Sequence, residues 1–380
     1  MLIWALLWAC GDGTTADSGR TGTETDTDTD TDTDTDTDTD TDTDTDTDTV
    51  PDLDPDLRTL SPSDPVVHTV GRIDSSDPGR VPLHWPGSRV SFSFEAPSVT
   101  ATIDDAGDNY LHVTVDDGAP LVLDLAPGEH SYVLAEGLDP GLHTLVLSKR
   151  TETFEDDATV LGFTLGAGNR LGDPVPEPTL RFEFYGDSIT AGYSADCVCD
   201  DGSAEYKNHD ATYARLTADA FGGEHHAIAL SGVGIVKSWW DAEMGDYWDG
   251  LSAGDGAWDF ARWPADVVVV NLGQNDYWLG VEGEIVPAYV DFLTTLRGVH
   301  PTAEIFLALG SMDATREGSP MPARVEQAVA ARNAQGDADV HSVIFAYNGW
   351  GGHPVVDDHA AMADELIAAL EAAMPELERR

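Results

Sequence analysis

The pattern of apolar and polar positions divides most of the chain into two parts. Between about residues 66 and 172, short runs alternate apolar with polar positions: RVSFSFEA, SVTATIDD, YLHVTVDDG, LVLDL, HSYVLA and HTLVLSKRTE. Gly, Pro and Asp separate these runs. Such alternation predicts antiparallel strands with one buried face, arranged as an all-β jelly-roll sandwich over 66–172. The proline-rich stretch that follows, at 173–179, is predicted to be a linker.

Beyond residue 180 the pattern changes to continuous apolar strands that alternate with helical segments. The predicted strands are LRFEFYG, EHHAIAL, ADVVVVNLG, AEIFLALG and VHSVIFAY, and the predicted helices are ATYARLTADAF, IVPAYVDFLTTLRG, PARVEQAVAARNA and DHAAMADELIAALEAAM. This order is typical of a parallel sheet covered by helices on both faces, so we expect a three-layer α/β domain over 180–380. In such domains the reactive groups lie in loops beyond the carboxyl ends of the strands.

The first 65 residues follow neither pattern. MLIWALLWAC at 1–10 is apolar and ends in a cysteine, and its last four residues resemble a lipobox, which predicts a signal segment with lipidation at Cys10. Thr and Asp then alternate at 24–49 with nothing apolar to bury, so residues 11–65 are predicted to form a disordered acidic stalk. We expect an exported bacterial lipoprotein, at the cell surface or outer membrane or else secreted. Its membrane contact would be the lipid alone, because spanning a bilayer takes roughly 20 apolar residues.

The charge of the chain excludes one class of function. The chain has 19 Lys and Arg against 70 Asp and Glu, a formal net charge of −51. Such a surface repels nucleic acid, so no polynucleotide partner is expected. Cys197 and Cys199 can form a disulfide in an exported protein or remain free thiols, and the acidic run 196–201 around them is predicted to be a solvated loop.

Four short motifs that follow predicted strands carry the candidate chemistry. YGDSITAGY places Ser188 at a strand-to-helix turn, where a serine serves either as a nucleophile or as a helix N-cap. SGVG contains Gly232, whose backbone N–H can approach a substrate oxygen, and LGQND contains Asn275, whose amide can donate to an oxyanion. NGWGGHP contains His353, the candidate general base.

The order Ser, Gly, Asn, His resembles that of the SGNH hydrolase superfamily of GDSL-like esterases. The sandwich stretches GRI, HWPGSRVSFSF and GLHTLVLSKRTE resemble the N-terminal jelly roll of carbohydrate esterase family 2. The later stretches WDFARWPADVVVVNLGQNDYW, LRGVHPTAEIFLALGSMD and GGHPVVDDHAAMADEL resemble its flavodoxin-like catalytic domain. The resemblance implies an acetyl xylan esterase-like enzyme that removes O-acetyl groups from xylan or glucomannan, with a preference for sugar O6.

The resemblance also implies a role for each motif residue. Ser188 would be the nucleophile and His353 the base. The backbone N–H groups of Ser188 and Gly232, with the Asn275 amide, would form the oxyanion hole. We expect no metal, no cofactor and a monomer.

The acid that usually orients such a histidine is missing from its usual place. Two and three residues before His353 stand Gly351 and Trp350. Some members of the family use a Ser-His pair in which a backbone carbonyl accepts from the imidazole. We therefore predict a Ser188–His353 dyad, oriented by a main-chain carbonyl from residues 349–351.

The last predicted helix offers rivals for these roles. His359, with Asp357 two residues before it, is a rival base. Asp357 and Asp358 are rival acids, but at the start of a helix they should point along it. We expect neither aspartate to act in catalysis.

Aromatic and charged residues suggest how a substrate and the two domains are held. Trp278 and Trp350 are predicted to stack on sugar rings, as indole faces do. Lys149, Arg150 and Glu152 are expected to join the two domains. Two other functions remain open: an SGNH lipase or thioesterase acting on other short-chain esters, and a carbohydrate-binding surface lipoprotein without turnover.

Overall fold

The computed structural model describes residues 53–176 and 178–379, which form the two predicted domains. A strand-rich N-terminal domain precedes an α/β domain, and the two pack together in one compact unit. The predicted signal segment, Cys10 and the Thr-Asp stretch lie outside the described residues. Within the described ranges, no helix combines the length and apolar character needed to cross a bilayer.

The N-terminal domain is a sandwich of two antiparallel sheets. Its strands in the described residues are β1 (Arg58–Leu60), β2 (His68–Val70), β3 (Val81–Leu83), β4 (Arg89–Glu95), β5 (Ser98–Asp105), β6 (Tyr110–Val115), β7 (Leu121–Asp124), β8 (Gly128–Glu136), β9 (His143–Lys149), β10 (Ala158–Leu165) and β11 (Arg170–Leu171). One sheet has the order β1-β10-β5-β8 with β3 also on β10, and the other has β11-β4-β9-β6-β7 with β2 also on β4. The predicted alternation is visible in β5, where Val99, Ala101 and Ile103 are buried in the core between the sheets.

The sandwich begins earlier than the predicted boundary at residue 66. β1 pairs antiparallel with Phe163–Leu165 of β10, and Asp54 forms an isolated bridge with Asn169. The predicted stalk over 11–65 is therefore wrong in its last residues, which belong to the folded domain. A three-residue strand is too short to show a periodic pattern, so sequence reasoning could not separate it from the stalk.

The C-terminal domain alternates strands and helices as predicted. Its elements are β12 (Arg181–Gly186), α1 (Ser188–Ala191), α2 (Tyr213–Ala220), β13 (Glu224–Ala229), β14 (Val267–Asn271), α3 (Gln274–Trp278), α4 (Ile285–Val299), β15 (Glu304–Leu309), α5 (Met321–Ala334), β16 (Val340–Ile344) and α6 (Val356–Ala373). The five strands are parallel in the order β13-β12-β14-β15-β16. Because this order reverses direction between β12 and β14, the loops after these two strands border a crevice.

Helices cover both faces of this sheet. α2 packs against α6, and α4 packs against α5. Two hydrophobic cores result, one containing Phe182 and Phe184, the other containing Tyr185 and Ile305. Strands buried on both faces need no polar side, which explains why Val267–Asn271 is entirely buried and why its sequence shows no alternation.

A buried arginine of the sandwich links the two domains. Arg72 is fully buried and donates to the carbonyls of Trp248 and Gly250, both at 2.8 Å. It also forms an ion pair with Glu183 of β12, and His300 Nε2 lies 2.9 Å from the other Glu183 oxygen. Burial by itself would raise the pKa of Glu183, but Arg72 and His300 outweigh it and lower that pKa to about 2. The carboxylate is therefore ionised at neutral pH and compensates the buried guanidinium.

We predict that Glu183→Gln destabilises the protein by about 3–5 kcal/mol at neutral pH, because it leaves Arg72 buried without a counter-charge. The folded-state pKa of Glu183 lies below its ordinary value of 4.5, so the pair contributes fully above pH 4.5. Its contribution is lost as the pH falls toward 2. Urea unfolding should therefore show a gap between wild type and variant that narrows from pH 5 to pH 3.

The matched control is Glu371→Gln, which removes a carboxylate from an exposed ion pair with Arg379. This control should unfold like wild type, because exposed pairs contribute little. If Glu183→Gln also unfolds like wild type at neutral pH, the Arg72–Glu183 ion pair does not stabilise the contact between the two domains.

Candidate active site

Ser188 lies at the start of α1, directly after β12. The N-cap of this helix is Asp187, whose Oδ1 accepts from the Ile189 backbone N–H at 3.0 Å. The alternative that Ser188 itself caps the helix therefore does not hold, and its hydroxyl is available for other partners. Burial raises the pKa of Asp187 to about 7.

His353 lies in the loop between β16 and α6 and reaches Ser188. Its Nε2 is 2.8 Å from Ser188 Oγ. The ring packs against Tyr193, with centroids 4.3 Å apart, which limits how the imidazole can turn. Residues separated by 165 positions in sequence thus form the pair that the motifs predicted.

The partner on the other side of His353 is a carboxylate, not a backbone carbonyl. Asp200 Oδ1 lies 2.6 Å from His353 Nδ1 and accepts the His353 backbone N–H at 3.1 Å. The predicted dyad, oriented by a carbonyl from residues 349–351, is therefore wrong. The hydrogen bond with His353 lowers the pKa of Asp200, so the carboxylate is ionised over a wide pH range.

The loop that carries Asp200 is held at several points. A disulfide joins Cys197 to Cys199 immediately before it. Asp196, earlier in the loop, pairs with Arg150 Nη2 at 2.6 Å and accepts from Asn208 Nδ2 at 2.8 Å. The loop over residues 196–201 is mostly solvent-exposed, as predicted, and these contacts also hold it in place. The signal that could have revealed it is an aspartate pair directly after two closely spaced cysteines.

The rival residues of the last helix occupy other positions. His359 is fully buried, burial lowers its pKa to about 3, and its Nδ1 accepts from the Tyr213 backbone N–H at 3.4 Å. Asp358 accepts from the Val355 backbone N–H at 3.1 Å and from Trp350 Nε1 at 3.2 Å. None of these contacts involves Ser188 or His353. His359 therefore does not act as the base, and Asp358 does not act as the acid, in the observed geometry.

The predicted oxyanion donors meet beside Ser188. Gly232 and Asn275 line the same cavity as Ser188 and His353. Gly232 has φ of +86°, and a Cβ there would lie 2.8 Å from the Trp240 ring, so both backbone and space require glycine.

The side chain of Asn275 has a fixed orientation. Trp239 Nε1 donates to its Oδ1 at 2.9 Å, which identifies the oxygen end of the amide. Its Nδ2 donates to the Val233 carbonyl at 2.9 Å and lies 3.4 Å from Asp187 Oδ2. The neighbouring Asp276 carboxylate accepts the N–H groups of residues 235–237 at 2.7–3.0 Å and so holds the loop that follows Gly232.

The cavity around these groups has about 260 Å³ and is rich in aromatic rings. It is lined by Ser188, Tyr193, Ser231, Gly232, Trp239, Trp240, Asn275, Trp278 and His353. Trp278 thus lies where the sequence placed it, whereas Trp350 is not among the lining residues and its indole contacts Asp358. Trp239 and Trp240 also line the cavity and were not among the tryptophans singled out from the sequence. Within the described residues, no group of three His, Cys, Asp or Glu side chains could hold a metal ion.

Comparisons with known families match both domains. Residues 69–176 match the carbohydrate esterase 2 N-terminal family, and residues 184–375 match the GDSL-like lipase/acylhydrolase family. The chain is 32% identical over 331 residues to the cellulase/esterase CelE of Acetivibrio thermocellus, covering 83% of this chain and 40% of that protein. It therefore spans less than half the length of that relative.

Two further relatives match over nearly their whole length. An acetylxylan esterase/glucomannan deacetylase of Cellvibrio japonicus is 26% identical, with 83% of this chain and 91% of the relative covered. A solved structure of a family two carbohydrate esterase from Clostridium thermocellum, in complex with cellohexaose, is 30% identical with a TM-score of 0.77. That alignment covers 81% of this chain and 99% of the other. The chain therefore belongs to the GDSL-like lipase/acylhydrolase family and, with its N-terminal sandwich, to carbohydrate esterase family 2.

Proposed function

We propose that this chain is a serine esterase that removes O-acetyl groups from polysaccharides. The observation that carries the proposal is the hydrogen-bonded series Asp200–His353–Ser188, which ends in a cavity lined by tryptophans. Base and nucleophile are within hydrogen-bonding distance, and a third group orients the base, as nucleophilic catalysis requires. The activities named for the relatives support the same reaction.

The reaction would proceed by acyl transfer to the serine. Ser188 Oγ attacks the acetyl carbonyl carbon while His353 Nε2 takes the hydroxyl proton, and His353 then returns that proton to the leaving sugar oxygen. A water then attacks the acetyl-enzyme carbonyl while His353 takes its proton. The ester bond to Ser188 Oγ breaks, His353 returns the proton to Oγ, and acetate leaves. Asp200 accepts the Nδ1–H throughout, fixing the tautomer and stabilising the imidazolium.

The negative charge on the carbonyl oxygen would be met by preorganised donors. We assign the backbone N–H groups of Ser188 and Gly232 to this task. Asn275 Nδ2 gives one hydrogen to the Val233 carbonyl, so we assign its second hydrogen, which lies near Asp187 Oδ2, to the oxyanion. Donors that are already in place need no reorganisation as the charge develops, and each contributes substantially to the rate.

The size and lining of the cavity favour a short acyl group on a carbohydrate. A volume of about 260 Å³ accommodates an acetyl group and lies below the roughly 300–1,000 Å³ of typical small-molecule pockets, which favours a short acyl group over a fatty acyl chain. Trp239 is 60% exposed and Trp278 is 40% exposed, so their faces are free to stack on sugar rings. We propose O6 as the acetylated position, because an ester on this primary carbon stands away from the sugar ring and can reach Ser188 while the ring stays on the indoles.

We further propose that the enzyme acts outside the cytoplasm as a monomer. The Cys197–Cys199 disulfide supports export, since disulfides persist in oxidising compartments. A lipid on Cys10 and an acidic stalk of Thr-Asp repeats would then hold the enzyme near its polymer. Acetylated polysaccharide is the proposed partner.

The first test is acetate release from acetylated xylan, glucomannan and chitin, with p-nitrophenyl esters of increasing chain length in parallel. Wild type should release acetate and should prefer the acetyl ester to longer esters. Ser188→Ala should abolish turnover while keeping the wild-type fold, because loss of the nucleophile costs about 10⁶ in kcat. Preference for long acyl chains would favour a lipase, and binding without acetate release would favour a non-catalytic carbohydrate-binding protein.

The second test concerns Asp200. Asp200→Asn should lower kcat by about 10²–10⁴, because the amide no longer stabilises the imidazolium and can impose the wrong tautomer. The lower end of this range applies if water replaces part of the lost charge, since the Asp200 side chain is 45% exposed.

The matched control is Asp201→Asn in the same loop, whose carboxylate contacts Ser203 and not His353. This variant should stay close to wild type, as should Asp357→Ala and Asp358→Ala. If Asp200→Asn keeps the wild-type kcat, Asp200 takes no part in catalysis and the mechanism uses only Ser188 and His353.

The third test concerns Asn275. Asn275→Ala should lower kcat by about 10²–10³ with little change in KM, the usual loss when one oxyanion donor is removed. Steady-state kinetics on p-nitrophenyl acetate separates the two constants. A change confined to KM would make Asn275 a binding residue instead.

The fourth test concerns the proposed anchor. Expressed with a functional leader in a bacterium that processes lipoproteins, the protein should partition into the membrane fraction. Cys10→Ser should block lipidation and shift the protein to the soluble fraction. Identical fractionation and gel migration of the two proteins would exclude lipidation at Cys10.

A further inference from the structure

A segment of the sandwich domain passes between the two loops that complete the active site. This segment, residues 150–155, follows β9. Arg150 contacts the loop that carries Asp200, through Asp196 at 2.6 Å and the Lys207 carbonyl at 2.8 Å. Glu152 contacts the loop that carries Gly232. Both loops belong to the α/β domain, so one segment of the sandwich contacts each of them.

Glu152 binds both polar groups of the residue before Gly232. Its Oε2 accepts the Ser231 backbone N–H at 2.7 Å, and its Oε1 accepts the Ser231 hydroxyl at 2.6 Å. The Glu152 side chain is fully buried, so substrate cannot reach it. The Gly232 N–H lies in the peptide plane that joins it to Ser231, so holding Ser231 restricts the direction in which that N–H points.

We propose that Glu152 is a positioning residue for the oxyanion hole, supplied by the sandwich domain and acting through Ser231 on the Gly232 N–H. The proposal rests on the proposed function and deepens it. It makes the sandwich part of the catalytic machinery, in addition to any role in binding polysaccharide.

A buried cation accounts for a glutamate at this place. Lys207 Nζ lies 2.8 Å from Glu152 Oε1 and also pairs with Glu155. Burial by itself would lower the pKa of Lys207, but the two carboxylates raise it above its ordinary value. Lys207 is therefore charged and neutralises the carboxylate that holds Ser231. Hydrogen bonds to an ionised acceptor are shorter and stronger than those between neutral groups, which suits a fixed anchor.

The same segment also supports Gly232 from its other side. The Phe154 ring meets the Trp240 ring edge to face, with centroids 5.4 Å apart. Trp240 in turn lies directly over Gly232. The turn at Gly232 is thus enclosed between the Glu152 carboxylate at Ser231 and the Trp240 ring, which Phe154 contacts.

The decisive comparison is between Glu152→Gln and Glu155→Gln. Both variants remove one carboxylate from Lys207, but only Glu152 contacts Ser231. We expect Glu152→Gln to lower kcat for p-nitrophenyl acetate by about 10–100-fold with KM nearly unchanged, a smaller loss than removal of a donor itself. Glu155→Gln should keep kcat close to wild type even if both variants lose similar thermal stability.

A second readout reports on the oxyanion hole directly. Phenylboronic acid forms a tetrahedral adduct with an active serine and places an oxygen where the oxyanion would lie. Its affinity should fall in Glu152→Gln in parallel with kcat and should be retained in Glu155→Gln. Equal losses in the two variants, or wild-type kcat in a folded Glu152→Gln, would overturn the proposal.

A milder variant covers the case in which Glu152→Gln does not fold. Ser231→Ala removes only the hydroxyl bond to Glu152 and should lower kcat and boronate affinity by several-fold. If Glu152→Gln folds, the double variant should lose less than the product of the two single losses, because both act through one contact. Wild-type kcat in Ser231→Ala would count against the proposal. Failure of the proposed function is distinct, since wild type itself would then release no acetate.

Discussion

Charges buried in a protein interior must be paired, and this constraint governs how the two domains of the enzyme meet. Arg72 and Arg150 of the sandwich are almost fully buried, and each finds its carboxylate in the catalytic domain. At Glu152 the roles are reversed: the sandwich supplies the buried carboxylate, and Lys207 of the catalytic domain supplies the cation. Leaving any of these charges without its partner is strongly unfavourable, so the joint between the domains is specific. The loops of the active site are attached to that joint.

The parallel sheet supplies the other half of the site. Ser188 follows β12 and Asn275 follows β14, the two strands between which the strand order reverses. The loops after them therefore face one crevice, and the loop after β13 adds Gly232 beside them. The sheet brings Gly232 and Asn275 to Ser188, and the sandwich contacts the loops around them. The loops that carry Asp200 and Gly232 thus contact both domains, although Ser188, His353 and Asp200 all belong to one.

The site could be predicted from sequence where each residue sits in its own short motif. Ser188, Gly232, Asn275 and His353 each follow a strand, and the structure places them together. Asp200 could not be predicted in this way, because it follows no strand and belongs to none of the four motifs. Asp200 lies in an exposed, aspartate-rich loop, and only the disulfide and the Arg150 contact show that this loop is held in place.

The sequence by itself determined the two domains, the types and approximate limits of their longer elements, and the four motif residues. It could do so because periodic burial and strand-end motifs are local signals. The tertiary structure decided the start of the sandwich at a three-residue strand, the acid that orients His353, and which tryptophans besides Trp278 line the cavity. It also decided that Glu152 of one domain holds Ser231 of the other. These features depend on contacts between residues far apart in the chain, and a local sequence pattern carries no information about such contacts.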